Sequence, residues 1–270
     1  MAGERGAVGR RLAICVDDFG LGEGVNQAVL ALARQGRISA TSCMVGAPQW
    51  QAGAPVLRDL DPAALDVGLH LDLTEFPFDA RLRLPLKQWL ARSHLRLVPW
   101  GALRTEIEGQ LDAFEQALGR PPAHVDGHQH VHQLPVVRET LLAALDARYG
   151  TRRPWLRRTR RPAGERLGGK AWLIEALGCA GLARLAAANG YLQNGHLLGV
   201  YDFEGDAERY LALLGQWLRA AADGDLVMCH PATELVRGDA IAPARVWEYQ
   251  VLTGPAFGAL LAREGIRIGP

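Results

Sequence analysis

The stretch Leu12-Ala13-Ile14-Cys15-Val16-Asp17-Asp18-Phe19-Gly20 decides the fold. A short apolar run, Leu12–Val16, stops abruptly at two carboxylates and a glycine, which reads as a buried strand ending in a turn. Gly24–Gln35 then carries a helical pattern, and Ala40–Val45 is apolar again. The alternation continues. Further apolar runs are Leu65–His70, Ala123–His128, Trp155–Arg157, Leu197–Val200 and Leu226–His230, with Ile266–Ile268 as a last one. Helical patterns at Leu103–Leu118, Val136–Arg148, Lys170–Ala188 and Ala207–Ala222 separate them. Strand and helix in regular alternation mean parallel βαβ units, and seven or eight of them favour a closed or nearly closed α/β barrel. Thr74–Trp100 holds Pro77, Pro85 and Pro99 with weak periodicity and is expected to be a long loop over one face.

The chain has 270 residues, with 30 Lys plus Arg against 29 Asp plus Glu. That balance argues against a nucleic-acid or membrane-surface protein. Its length suits one barrel domain, Arg11–Pro270, preceded by a flexible tail over Met1–Arg10. The four cysteines form no CxxC pair, so no disulfide framework is expected and a reducing, cytoplasmic compartment fits. No stretch has the composition of a signal peptide or a membrane span.

The polar residues fall where the apolar runs end. Asp17 and Asp18 follow Val16, His70 follows Leu69, His128 follows Gly127, and His230 follows Cys229. In a parallel barrel all the C-terminal strand ends open onto one face, where these groups can converge. Strand alternation sends the adjacent Asp17 and Asp18 in different directions, so that one can hold a metal while the other moves a proton. The Asp-Asp-x-Gly sequence also suits a simple turn.

The densest signal is His124-Val125-Asp126-Gly127-His128-Gln129-His130-Val131-His132, which holds four of the eight histidines. His124, Asp126, His128, His130 and His132 recur with period two and would line one face of an extended strand. Clustered imidazoles of this kind point to metal, with one or two as ligands and others beside the substrate. An Asp with two His leaves coordination positions open for water and substrate, which fits metal-assisted hydrolysis.

The motifs Val16-Asp17-Asp18-Phe19-Gly20, Gly68-Leu69-His70-Leu71-x-Leu73-Thr74, His124–His132 and Met228-Cys229-His230-Pro231, in this order, resemble the YdjC-like carbohydrate deacetylase family. The likeness runs from Leu12 to the C-terminus. It implies a distorted TIM-like barrel and one divalent cation, Mg2+ or Zn2+, held by Asp18, His70 and His128. It further implies Asp17 as general base and His230 as general acid in the hydrolysis of the acetamide of an N-acetylated saccharide or glycolipid. Gly127-His128-Gln129-His130 stands where chitooligosaccharide enzymes commonly show Ser-His-His-His, which leaves the sugar open.

Around that centre, His130, His132, Asp72 and Arg157 are the expected substrate contacts. Arg157 belongs to Arg152–Arg161, six arginines in ten residues, expected as a solvated loop with one Arg reaching the pocket. No nucleic-acid partner is expected, and a homodimer is left open. A metal-dependent phosphoesterase and a non-catalytic sugar-binding protein are the alternatives.

Overall fold

The computed structural model describes residues 9–162 and 169–269. Eight strands form one parallel sheet. They are β1 (Arg10–Phe19), β2 (Ala40–Cys43), β3 (Asp66–Leu71), β4 (His124–Gly127), β5 (Trp155–Leu156), β6 (Leu197–Leu198), β7 (Leu226–Cys229) and β8 (Ile266–Ile268). The order is β5-β4-β3-β2-β1-β7-β6. β8 lies beside the start of β1, with Arg10 opposite Ile266, and β7 takes over along Ala13–Val16. Between β5 and β6 the sheet is carried across by a bridge of Leu156 with Gln193 and by the Leu197 N–H donating to the Arg160 carbonyl at 2.7 Å. The result is the expected distorted TIM-like barrel. Of the expected tail, residues 1–8 lie outside the described residues, and Arg10 already opens β1.

Helices cover the sheet: α1 (Glu23–Arg34), α2 (Trp50–Arg58), α3 (Leu86–His94), α4 (Trp100–Leu118), α5 (Val137–Tyr149), α6 (Gly169–Ala176), α7 (Cys179–Ala188), α8 (Ala207–Ala220), α9 (Ala242–Thr253) and α10 (Pro255–Arg263). α1 shows why. Val25, Ala28, Val29 and Leu32 recur at helical spacing and are buried, so the helix seals its stripe against the sheet. Strands covered in this way are apolar on both faces, which is why they read as continuous apolar runs. Among the described residues no single helix is long and apolar enough to cross a membrane.

Three expectations need correction. Thr74–Trp100 is not a bare loop. It contains a 3-10 turn at Ala80–Leu82 and α3, whose Trp89 indole donates to the carbonyls of Leu73 and Leu82. Pro85 and Pro99 immediately precede α3 and α4, where helix entry needs no N–H from the chain. The Lys170–Ala188 pattern is two helices; the chain breaks before Cys179, where Gly178 lies so close to the Gln133 carbonyl that a Cβ would overlap it. The histidine strand ends at Gly127. His128–Gln133 is a 3-10 segment in which Gln129 and His130 take positive φ of 51° and 59°.

A candidate metal centre at the strand ends

β1 carries a bulge that builds the site. Val16 pairs with Thr41 and Phe19 with Cys43, so β1 spends one extra residue between them, and Asp18 within it has φ 68°. A bulge of this kind re-aims side chains. Asp17 and Asp18 both come to the same end of the barrel, each within 4.8 Å of a ring nitrogen of His70, but they face different partners.

Asp18 Oδ1 stands 3.3 Å from His70 Nε2 and 3.1 Å from His128 Nδ1. Its other oxygen accepts from Arg245 on α9 at 2.7 Å. Burial pushes the Asp18 carboxyl up, but Arg245 and His128 outweigh it and hold the group well below the usual carboxylate range. The rear nitrogen of each imidazole meets another carboxylate. His70 Nδ1–H donates to Asp126 Oδ1 at 2.6 Å, and His128 Nε2 lies 3.1 Å from Glu75 Oε1. Burial disfavours charge on His70, yet Asp126 and then Asp18 raise it to about 9. Three donors face one point while the far side of each ring rests on a carboxylate, the arrangement that orients imidazole metal ligands. The residues present therefore fit a divalent cation.

Asp17 faces the other way. Arg157, just beyond β5, grips it bidentately at 2.6 Å to each oxygen, and the same guanidinium meets Asp126 Oδ2 at 2.5 Å. His230, just beyond β7, places Nε2 4.0 Å from Asp17 Oδ2. Burial pushes the His230 imidazole down to about 4, against the pull of Asp18 and Asp17. Its backbone N–H donates to Glu248 on α9 at 2.6 Å, and the edge of its ring packs against Phe203.

Beneath this layer Cys15, Ser42 and His124 close the barrel floor. The Ser42 hydroxyl donates to Asp126 Oδ2 at 2.6 Å and lies 2.9 Å from His124 Nε2, while the His124 ring stacks on Trp155. All four cysteines are buried and free.

Three of the expected substrate contacts are buried and engaged with the protein's own groups. His132 is fully buried, packed beside Gly127, and its Nε2–H donates to the Arg157 carbonyl at 3.0 Å. The turn after His128 buries it, where an extended strand would have left it on the same face as His128. Arg157 does reach the site, but its side chain is wholly buried and committed to Asp17 and Asp126. The buried Asp72 carboxylate accepts the backbone N–H groups of Thr74, Glu75 and Phe76, so it shapes the loop that brings Glu75 onto His128. His130 is half-buried, and its Nδ1 lacks a partner.

Sequence reasoning missed Arg245 and Glu248. Both are buried, on the same helical stripe as Ala244, Val251 and Leu252. Two charges on an apolar stripe are the signal that could have found them. It had placed Asp126 on the histidine face without giving it a role.

A model of the YdjC-like protein family matches residues 11–263. The chain is 28% identical over 269 residues to a chitooligosaccharide deacetylase of Enterobacter sp. (strain 638), covering 96% of each. It is 30% identical over 300 residues to the human (Homo sapiens) carbohydrate deacetylase, covering 96% of this chain and 89% of that one. Among solved structures, an Enterococcus faecalis V583 protein named for cellobiose-phosphate cleavage superposes with a TM-score of 0.67 at 22% identity, covering 96% of this chain and 97% of that one. A peptidoglycan N-acetylglucosamine deacetylase matches with a TM-score of 0.52 at 12% identity, covering 96% and 84%. These two structural likenesses speak for the fold alone. With the family match spanning nearly the whole barrel, this chain belongs to the YdjC-like family.

Proposed function

We propose that the protein hydrolyses the acetamide of an N-acetylated sugar, releasing acetate and a free amino sugar, with one divalent cation held by Asp18, His70 and His128. The observation that carries this reading is the pairing of that donor set with Asp17, within 4.8 Å of a His70 ring nitrogen, and with His230, 4.0 Å from Asp17. The names of the curated relatives, chitooligosaccharide and carbohydrate deacetylases, support it.

A cation on this set supplies Lewis acidity, lowering the pKa of water and polarising the acetamide carbonyl. The chain's own residues do the rest. Arg157 fixes both oxygens of Asp17, so the carboxylate has one orientation. Asp17 takes a proton from the attacking water as its oxygen bonds to the carbonyl carbon. His230 Nε2, neutral at rest and 4.0 Å from Asp17, receives the proton that Asp17 took, relayed by a water between them, and gives it to the sugar nitrogen as the C–N bond breaks.

A phosphoester substrate suits the site less well. Arg157, the cation expected to reach an anionic group, is buried with both its terminal nitrogens on the carboxylates of Asp17 and Asp126. The test is a panel of N-acetylated saccharides and glycolipids assayed for released acetate and new primary amine, with chelation and return of Mg2+ or Zn2+. Acetate in step with amine, lost on chelation and restored by the ion, is the expected result. Phosphate release, or no acetate from any member with the metal restored, overturns the reading.

A further inference from the structure

The near-neutral total charge conceals one lopsided segment. Residues 80–104 hold Arg81, Arg83, Lys87, Arg92, Arg96 and Arg104 and not one Asp or Glu, which leaves 24 basic against 29 acidic residues elsewhere. All six cations are exposed. Arg81 is paired with Asp79 and Arg104 with Glu108, whereas among the described residues Lys87, Arg92 and Arg96 meet no carboxylate within 4.0 Å.

The same segment displays its largest apolar side chains to solvent. Leu95, Leu97 and Trp100 are 67%, 65% and 54% exposed, within six residues. This is an ordered turn. Leu95 N–H donates to Ala91 O at 3.0 Å, Leu97 N–H to Arg92 O at 2.8 Å, and Arg96 between them takes φ 55°. α3 meanwhile buries Trp89 and Ser93 beneath. The backbone thus holds three apolar side chains outward with long cations beside them. Scattered exposed apolar residues need no explanation, but three within six residues, with Arg92 and Arg96 beside them, do.

Leucines and a tryptophan flanked by Arg and Lys form the composition that seats in the headgroup zone of a bilayer, the cations reaching lipid phosphates while the apolar tips enter. A second copy of this chain is a poorer occupant, because a two-fold contact through this patch sets its cations against their own images. A nucleic acid would satisfy the cations and leave Leu95 and Leu97 in water. We propose that the turn joining α3 to α4 is a peripheral docking surface for an anionic lipid bilayer: Leu95, Leu97 and Trp100 enter the headgroup region, and Lys87, Arg92 and Arg96 lie on its phosphates. α3 packs against the 128–133 segment, and the insertion begins beside Glu75, so a docked chain holds its metal-centre rim next to the bilayer. The proposal stands independently of the reaction.

The experiment is flotation of the full chain with phosphatidylcholine vesicles, with and without phosphatidylglycerol, at low and high salt. Wild type is expected to float with the anionic vesicles only, and to be released by salt. Leu95→Ser/Leu97→Ser/Trp100→Ser and, separately, Arg92→Glu/Arg96→Glu are each expected to cut vesicle binding about tenfold or more, with unchanged thermal unfolding. Failure of wild type to float overturns the proposal. So does wild-type binding by the apolar triple variant, which would reduce the effect to attraction for any polyanion. Light scattering that shows a dimer dissolved by the triple variant, without vesicle binding, overturns it in favour of self-association.

Discussion

His70 Nδ1 lies 2.6 Å from Asp126 Oδ1, with both side chains buried in the barrel. Because the other Asp126 oxygen meets Arg157, and Arg157 grips Asp17, one carboxylate ties the proposed ligand side of the site to the proposed base side. Asp126→Asn should therefore weaken cation binding about 10–100-fold. It should also cost about 3 kcal/mol of stability, since a buried guanidinium loses half of its charge partners. Metal titration and denaturant unfolding of the variant read the two effects, and wild-type cation affinity would remove this role.

Asp17→Asn separates binding from chemistry. Asp18, His70 and His128 are untouched, so cation stoichiometry should hold while turnover falls about 10²–10⁴-fold. Acetate release measured on metal-loaded protein checks it, and full turnover eliminates Asp17 as the base.

His128→Ala removes one of three donors and leaves Glu75 facing an empty position. Bound cation should fall to a small fraction of one equivalent after gel filtration. Elemental analysis measures it; undiminished metal would mean that the ligands lie elsewhere.

Glu248 gives a pH dependence with a definite sign. Burial raises its carboxyl from 4.5 to about 7, against the opposing His230 N–H, Tyr201 hydroxyl and Arg245. Between those values the folded state keeps a proton that the unfolded chain has released, so stability falls as pH climbs from 4.5 toward 7. Glu248→Gln cannot titrate. Its melting temperature, compared with wild type at pH 5 and at pH 8, should look relatively better at the higher pH. Parallel melting curves across that range would refute the assignment.

Gly68 tests the floor. A Cβ there would overlap the His124 ring, which is pinned against Trp155 at a centroid distance of 4.3 Å. Gly68→Ala should destabilise by about 1–3 kcal/mol in chemical denaturation.

Much of the barrel was legible because its strands are buried on both faces and its helices on one. Those two periods survive in the sequence. The strand-end rule likewise brought Asp18, His70 and His128 together as expected. Two things hid the rest. Positive φ at Asp18, Gln129 and His130 breaks the period-two reading, so His132 turned inward and both aspartates turned to one end. The partners Arg157 and Arg245 act as buried counter-charges, and a guanidinium in a basic run or a helix looks solvated until its carboxylate is located. The prolines at 85 and 99 misled in the opposite direction, marking helix starts where a loop was expected.

The sealed layer of Cys15, Ser42 and His124 has a consequence for traffic. At the opposite end the barrel holds a separate cavity of about 350 Å³, lined by Asp66, Trp155 and Asp225, and Trp155 stands between it and His124. Cys15, Ser42 and His124 are all fully buried between that cavity and the metal centre, so under the proposed reaction substrate and product would share the mouth on the metal-centre side. Under that proposed reaction a spent fragment would stand in the doorway of the next arrival, and the pace of departure would be a property of the rim.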